Sequence, residues 1–264
     1  MRILIRTSKL AIWARRFGSF ALPLMVIPIW MHRNQMLTSE TFQIILAVAI
    51  GSALLAVIFG LGAYIRLWQS GDRGWGRAST GLFLGLLCLS PLAYGASLAL
   101  RYPTTADVAT VQNPPLRLMV KPSTVSPVPA PSREVMLEAF PNAVSRTYQF
   151  EIKEVFELVE ELATLRGWQI RARREPGSAR AEGRINAMAM TFFGWRDEVV
   201  VRVSESEGGA KVDMRSTSLV GVHDLGRNGT RIEAFLLELD EMVSELNRNQ
   251  IVSADPHEDT TTTN

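Results

Sequence analysis

The residues best suited to chemistry crowd into one short stretch: Arg215, Ser216, Ser218, His223, Asp224, Asn228 and Arg231. One reading makes them a polar site. Arg215 and Arg231 would hold an anion or carboxylate through their guanidinium forks, with Ser216 beside them and Asp224 or Asn228 orienting the ligand. A purely structural reading competes and is favoured. Asp224 or Asn228 is a natural helix cap, Thr230 and Glu233 have capping-box spacing, and Gly221, Gly226 and Gly229 permit a tight entry. On that reading Arg215 simply pairs with Asp197, Asp213 or Asp224. His223, Asp224 and Ser216 or Ser218 have the residue types of a hydrolytic triad. Adjacent His and Asp side chains seldom reach triad geometry, however, and no nucleophile-elbow pattern accompanies them. No catalytic residue is therefore assigned.

The elements that would position this stretch are strongly patterned. Val199, Val201 and Val203 alternate with Val200 and Arg202, the period of two expected of a half-buried strand. Glu207-Gly208-Gly209 turns the chain. The return strand puts Val212 and Met214 on one face and Lys211, Asp213, Arg215 and Thr217 on the other. Ile232, Phe235, Leu236, Leu239, Val243 and Leu246 then fall at the three-and-four spacing of one helical stripe. A second stripe, Ile152, Val155, Phe156, Val159, Leu162 and Ala163, lies upstream and ends at Gly167, placed as the residue after the C-cap. Asn142 to Phe150, with Val144, Arg146, Tyr148 and Phe150 alternating, predicts a short strand before that helix. Trp168, Ile170 and Ala172 begin another, Glu175 to Ser178 turns it, and Ala179 to Met190 returns. The order is β-α-β-β-β-β-α. The expected fold is an α+β antiparallel-sheet domain, helix-grip or TBP-like, with both helices on one face.

The N-terminal half is different material. Phe42–Ile65 and Ala78–Leu100 are almost uninterrupted apolar segments, each longer than the roughly 20 residues a helix needs to cross about 30 Å of hydrocarbon. Phe17–Met31 is shorter and holds Pro23 and Pro28. It is read as an uncleaved anchor lengthened by Leu10 to Trp13, because His32-Arg33-Asn34-Gln35 follows it in place of a small-residue cleavage site. Arg2, Arg6, Lys9, Arg15 and Arg16 precede the first segment, and Arg66, Arg73 and Arg77 occupy the loop after the second. The positive-inside rule then puts both ends of that set in the cytoplasm and everything after Leu100 beyond an inner, or plasma, membrane. Ser52, Ala56, Gly60, Gly81 and Gly85 mark close helix packing, within this region or in a homo-oligomer. The second and third segments lack ionisable residues at mid-membrane, which disfavours an ion or proton path.

Residues 102–132 are rich in proline and read as an extended spacer, interrupted by Leu116, Leu118, Met119 and Val120, so that part of it lies against the domain. The expected division is therefore a three-span region (1–101), this spacer, a folded domain (133–248) and a tail (249–264). The tail carries Asp255, His257, Glu258 and Asp259, metal-ligand types without a scaffold, and is read as disordered and solvated. Charge divides likewise. Residues 1–132 hold about twelve basic side chains against three acidic, and 133–248 about sixteen against twenty. The pI of 8.9 thus reflects the membrane half, and an acidic folded domain argues against a nucleic-acid partner. The single cysteine, Cys88, excludes an intrachain disulfide and a thiolate cluster. With no phosphate loop, dinucleotide fingerprint or zinc spacing, no cofactor and no metal are expected.

Thr191–Val203 (TFFGWRDEVVVRV) and Val212–Leu236 (VDMRSTSLVGVHDLGRNGTRIEAFL) resemble the bacterial and plastid domain-of-unknown-function family numbered 1499. Asp107–Pro115 is similar to that family's segment ahead of the domain, and Gly74-Trp75-Gly76-Arg77 fits its three-span members. Ala187 to Met190 is more apolar than the acidic or threonine-rich stretch usual there. The resemblance implies the architecture and assigns no reaction. Its helix-grip order is also similar to small domains of the outer-membrane barrel assembly machinery that bind protein partners, an analogy of fold alone. Three functions are carried forward: an envelope protein-interaction or scaffold module beside membrane lipid; a lipid or apolar-ligand binder using Trp168, Phe192, Phe193 and Trp195; and, least favoured, a hydrolase at His223.

Overall fold

The computed structural model describes residues 6–122, 130–177 and 182–254. Pro127 and Pro129 of the proline-rich run, Ser178 to Ala181 and the tail from Asp255 lie outside them. The chain forms two compact units.

The first unit comprises residues up to Arg101 together with Thr191–Trp195. Its helices are α1 (Lys9–Arg33), α2 (Ser39–Ser70) and α3 (Trp75–Arg101), each long and apolar enough to cross a membrane. The first extends beyond the Phe17–Met31 core and runs through Pro23 and Pro28. Small residues let the three pack closely. A Cβ placed on Gly81 of α3 would lie 2.4 Å from the Ala14 carbonyl carbon of α1, and one on Gly85 would lie 2.9 Å from the Ala53 oxygen of α2. Ser52 adds a hydrogen bond from its hydroxyl to the Phe17 carbonyl at 3.0 Å. At one end of the bundle Thr7 bridges to Arg73, with the Ser8 N–H donating to the Arg73 carbonyl and the Arg73 N–H to that of Arg6. The basic start of α1 therefore sits beside the basic loop between α2 and α3. Near the turn from α1 to α2, His32 stacks on Phe42, and its Nδ1 lies 2.6 Å from the Phe193 carbonyl.

The second unit contains β1 (Asp107–Ala109), α4 (Arg133–Ala139), β2 (Arg146–Tyr148), α5 (Ile152–Leu165), β3 (Gln169–Arg174), β4 (Glu182–Met190), β5 (Arg196–Ser206), β6 (Gly209–Ser218) and α6 (Arg227–Ala254). The strands make one antiparallel sheet in the order β1-β6-β5-β4-β3, and β2 also pairs with β6. From β2 onward this is the expected order. The short strand β1, drawn from the proline-rich spacer, and the seven-residue α4 are additions that no periodicity announced. Helix α6 also runs past Leu246, where its apolar stripe stops.

One sheet face carries both long helices. Val155, Phe156, Val159 and Leu162 of α5 and Ile232, Phe235, Leu236 and Leu239 of α6 share a core with Ile185, Ala187, Val199, Val201, Val203, Val212 and Met214. Strand alternation supplies that apolar face, and truncating a ring such as Phe156 or Phe235 costs about 3–5 kcal/mol. Helix α5 is closed at both ends. Glu151 and Glu154 form a reciprocal capping box at its start, and Gly167, with φ of 69°, ends it while the Trp168 N–H returns to the Ala163 carbonyl.

Candidate functional site

The sheet separates the candidate residues by side-chain parity. Asp197, Ser216 and Ser218 project toward α6, whereas Arg215 projects to the opposite face.

On the helix side a polar network forms, in which Asp197 Oδ1 is buried without a hydrogen-bond partner among the described residues. Arg231 donates to Asp197 Oδ2 at 2.7 Å, and to Ser216 Oγ and Asn228 Oδ1 at 2.8 Å each. The Ser216 hydroxyl donates to Asn228 Oδ1, while the Asn228 amide donates to the Ala106 carbonyl and to Ser218 Oγ. Asn228 thus uses both donors and both acceptor positions of its side chain. Asp224 caps α6, accepting from the Gly226 N–H at 2.9 Å and the Asn228 N–H at 2.7 Å. Burial pushes its pKa up, and those two backbone donors pull against that shift. Thr230 lies inside the first turn with its hydroxyl on the Gly226 carbonyl, and Glu233 accepts from the Asn142 N–H, so the two form no capping box. Asp197, Ser216, Asp224 and Asn228 are all buried.

His223 does not join Ser216, Ser218 or Asp224 in a catalytic relay. Its Nδ1 accepts from the Leu225 N–H, and its buried Nε2 has no hydrogen-bond partner. Both Asp224 oxygens hold backbone N–H groups, and Ser216 faces Asn228 and Arg231. With His223 Nδ1, Asp224 and Ser216 each engaged elsewhere, and Nε2 reaching none of them, the relay a triad needs is not assembled.

The other face is dressed by the chain itself. Arg215 makes a bidentate pair with Asp107 at 2.9 and 2.5 Å, and Thr217 donates to the same carboxylate. Asp107 was not among the partners considered from sequence. It lies far upstream in β1, and only the register Ala109↔Arg215 brings it near. Beyond β1 the segment Leu116–Val120 crosses this face. Glu198, itself buried, accepts the Met119 and Val120 N–H groups at 2.7 and 2.8 Å and the Asn186 amide at 2.8 Å. Arg215 also reaches the Leu116 carbonyl. The interruption of the proline-rich run by Leu116, Leu118, Met119 and Val120 was the signal for this strap. Glu198 carried none, because a lone acid in a strand reads as solvated.

Of the candidate aromatic set, Trp168 stacks on Phe235 with ring centroids 5.1 Å apart in the second unit. Phe192, Phe193 and Trp195 belong to the first unit, where Trp195 meets the His32 and Phe42 rings at 4.8 and 5.6 Å. Among the described residues, no group of three or more His, Cys, Asp and Glu side chains is assembled for a metal ion.

Comparison with curated proteins finds no match, and comparison with solved structures finds none. A family model described as a protein of unknown function, DUF1499, matches residues 110–239. That range spans the strap, the sheet from β2 to β6 and the first half of α6. Through this domain the chain belongs to the DUF1499 family, and its three apolar N-terminal helices fit a membrane-anchored member.

Proposed function

We propose that the protein is a membrane-anchored interaction module of the cell envelope, whose folded domain docks a protein partner on the sheet face opposite its helices. One observation carries this reading. That face already receives an extended stretch of chain, Leu116–Val120, through Glu198, Asn186 and Arg215, which bind its main-chain N–H and C=O groups. Groups that satisfy a backbone irrespective of side chain are what recognition of an extended peptide requires. The polar corner at Arg231 supports the same reading by contrast, since its donors and acceptors serve one another and α6.

In this proposal the N-terminus is cytoplasmic and the domain periplasmic. The charge of Arg6, Lys9, Arg66, Arg73 and Arg77 supports that orientation, as does the bridge at Thr7 and Arg73 that gathers these residues at one end of the bundle. The test is a photo-crosslinking residue at Met188 or Lys211, on the strap face, compared with one at Leu237 on the exposed side of α6, in intact cells. A protein adduct specific to the strap face supports the proposal. Adducts equal on both faces, lipid adducts alone, or a reporter fused after Asn264 that is active only in the cytosol would overturn it.

A further inference from the structure

The register of the sheet aligns three arginines. Arg174 of β3 is directly opposite Arg184 of β4, and Arg184 is directly opposite Arg202 of β5. Like charges opposite one another across strands destabilise a sheet. The outer two have carboxylates of their own: Arg174 pairs with Glu182, and Arg202 with Asp213 at 2.6 Å. The central one has no ion pair or hydrogen bond among the described residues, and its Nε is buried without an acceptor. The Nε of Arg174 is likewise buried and unmet. Arg174, Arg184 and Asn186 line a groove of about 290 Å³ whose other wall is the strap, and from the strap Arg117 joins them, its carbonyl on the Asn186 amide and its guanidinium without an ion pair among the described residues.

We propose that this groove is a binding site for a phosphate-class oxyanion, with Arg184 as its principal ligand and Arg174 and Arg117 flanking it. The chemistry follows from what is missing. A guanidinium between two others is stabilised by a negative group supplied to it, and the nearby carboxylates are already engaged: Glu182 and Asp213 by the outer arginines, Glu198 by the strap N–H groups and Asn186. Donors converging from two adjacent strands, β3 and β4, and from the strap suit an anion with three acceptor oxygens better than a single planar carboxylate. The site stands whether or not a protein partner docks on the same face. A free phosphate and a lipid headgroup share this chemistry.

The test uses the full chain in detergent, titrated calorimetrically with inorganic phosphate, and separately with mixed micelles of phosphatidylglycerol or phosphatidylcholine. Arg184→Gln is expected to weaken binding at least about tenfold, the loss of one charge-assisted contact. Arg248→Gln, on the exposed part of α6, leaves it unchanged. Saturation by inorganic phosphate supports a free anion, and saturation only by phosphatidylglycerol micelles supports a headgroup. In anion-free buffer Arg184→Gln should unfold at a temperature no lower than the parent, because an unpaired cation between two like charges is removed, and added phosphate should then raise only the parent's Tm. No binding in either arm, equal binding by Arg184→Gln, or a variant that melts lower or fails to fold without anion would overturn the site.

Discussion

The two faces of the sheet use the same residue types to opposite ends. Arg231 reaches from α6 toward the sheet, and Asp197, Ser216 and Asn228, all buried, take its donors. On the strap side Arg215 is paired to a residue that arrives from another part of the chain, Glu198 holds two backbone N–H groups beside the Asn186 amide, and Arg184 has no ion pair or hydrogen bond among the described residues. A half-buried arginine therefore signifies structure or recognition according to where its partners come from. The helix-side network spends its donors within the fold and leaves only an acceptor, Asp197 Oδ1, unmet among its carboxylates, whereas the strap-side network still has donors to offer.

This contrast can be broken most forcefully at Arg231. Arg231→Met leaves Asp197 buried and uncompensated, and should cost about 3–5 kcal/mol in urea unfolding. The double variant with Asp197→Leu should recover much of that loss. A small effect of the single variant would mean that the corner is wetter than its burial indicates. On the other face, Glu198→Gln removes the charge that holds two N–H groups and should cost about 1.5–3 kcal/mol. Hydrogen exchange should show Met119 and Val120 losing protection while β5 and β6 keep theirs. Asp224→Ala, which removes the cap of α6, should cost about 1 kcal/mol and raise exchange at Gly226 and Asn228 before the rest of the helix.

The smallest effect concerns Tyr148, at the β2 end of the helix side. Its hydroxyl donates to Asp240 at 2.6 Å, and burial, then that carboxylate, raise its pKa well above the ordinary value of about 10. In the folded state the phenol keeps its proton where the unfolded chain has lost it. Stability from this group is complete below about pH 10 and declines as pH climbs above it. Tyr148→Phe should cost about 0.5–1.5 kcal/mol at neutral pH and flatten the alkaline limb of a stability profile. An unchanged limb would assign that slope to other groups.

Periodicity made the helix-side half of this picture legible. The valine alternation in β5, the stripes of α5 and α6, the cap at Asp224 and the length of the apolar segments all follow from local spacing, which carries element type and facing directly. The strap-side half depends on register. That Asp107 meets Arg215, that Glu198 meets Met119, and that Arg174, Arg184 and Arg202 share a row are consequences of which residue lies opposite which across strands. A slip of one position would have dispersed them, and nothing local in the sequence excludes such a slip. The candidate site divided for the same reason. Arg215 and Ser216 are neighbours in the chain, yet a strand sends adjacent side chains to opposite faces.

The strand β1 has a mechanical consequence. It follows the third apolar helix in the chain after only a few residues, so tension passing along the backbone from the anchor reaches the sheet there. Its hydrogen bonds to β6 and the Asp107 clasp on Arg215 would carry load arriving along this connection ahead of the strap and the proline-rich run. A pull passed through residues 102–106 would be felt at the edge of the sheet before any slack downstream was drawn out.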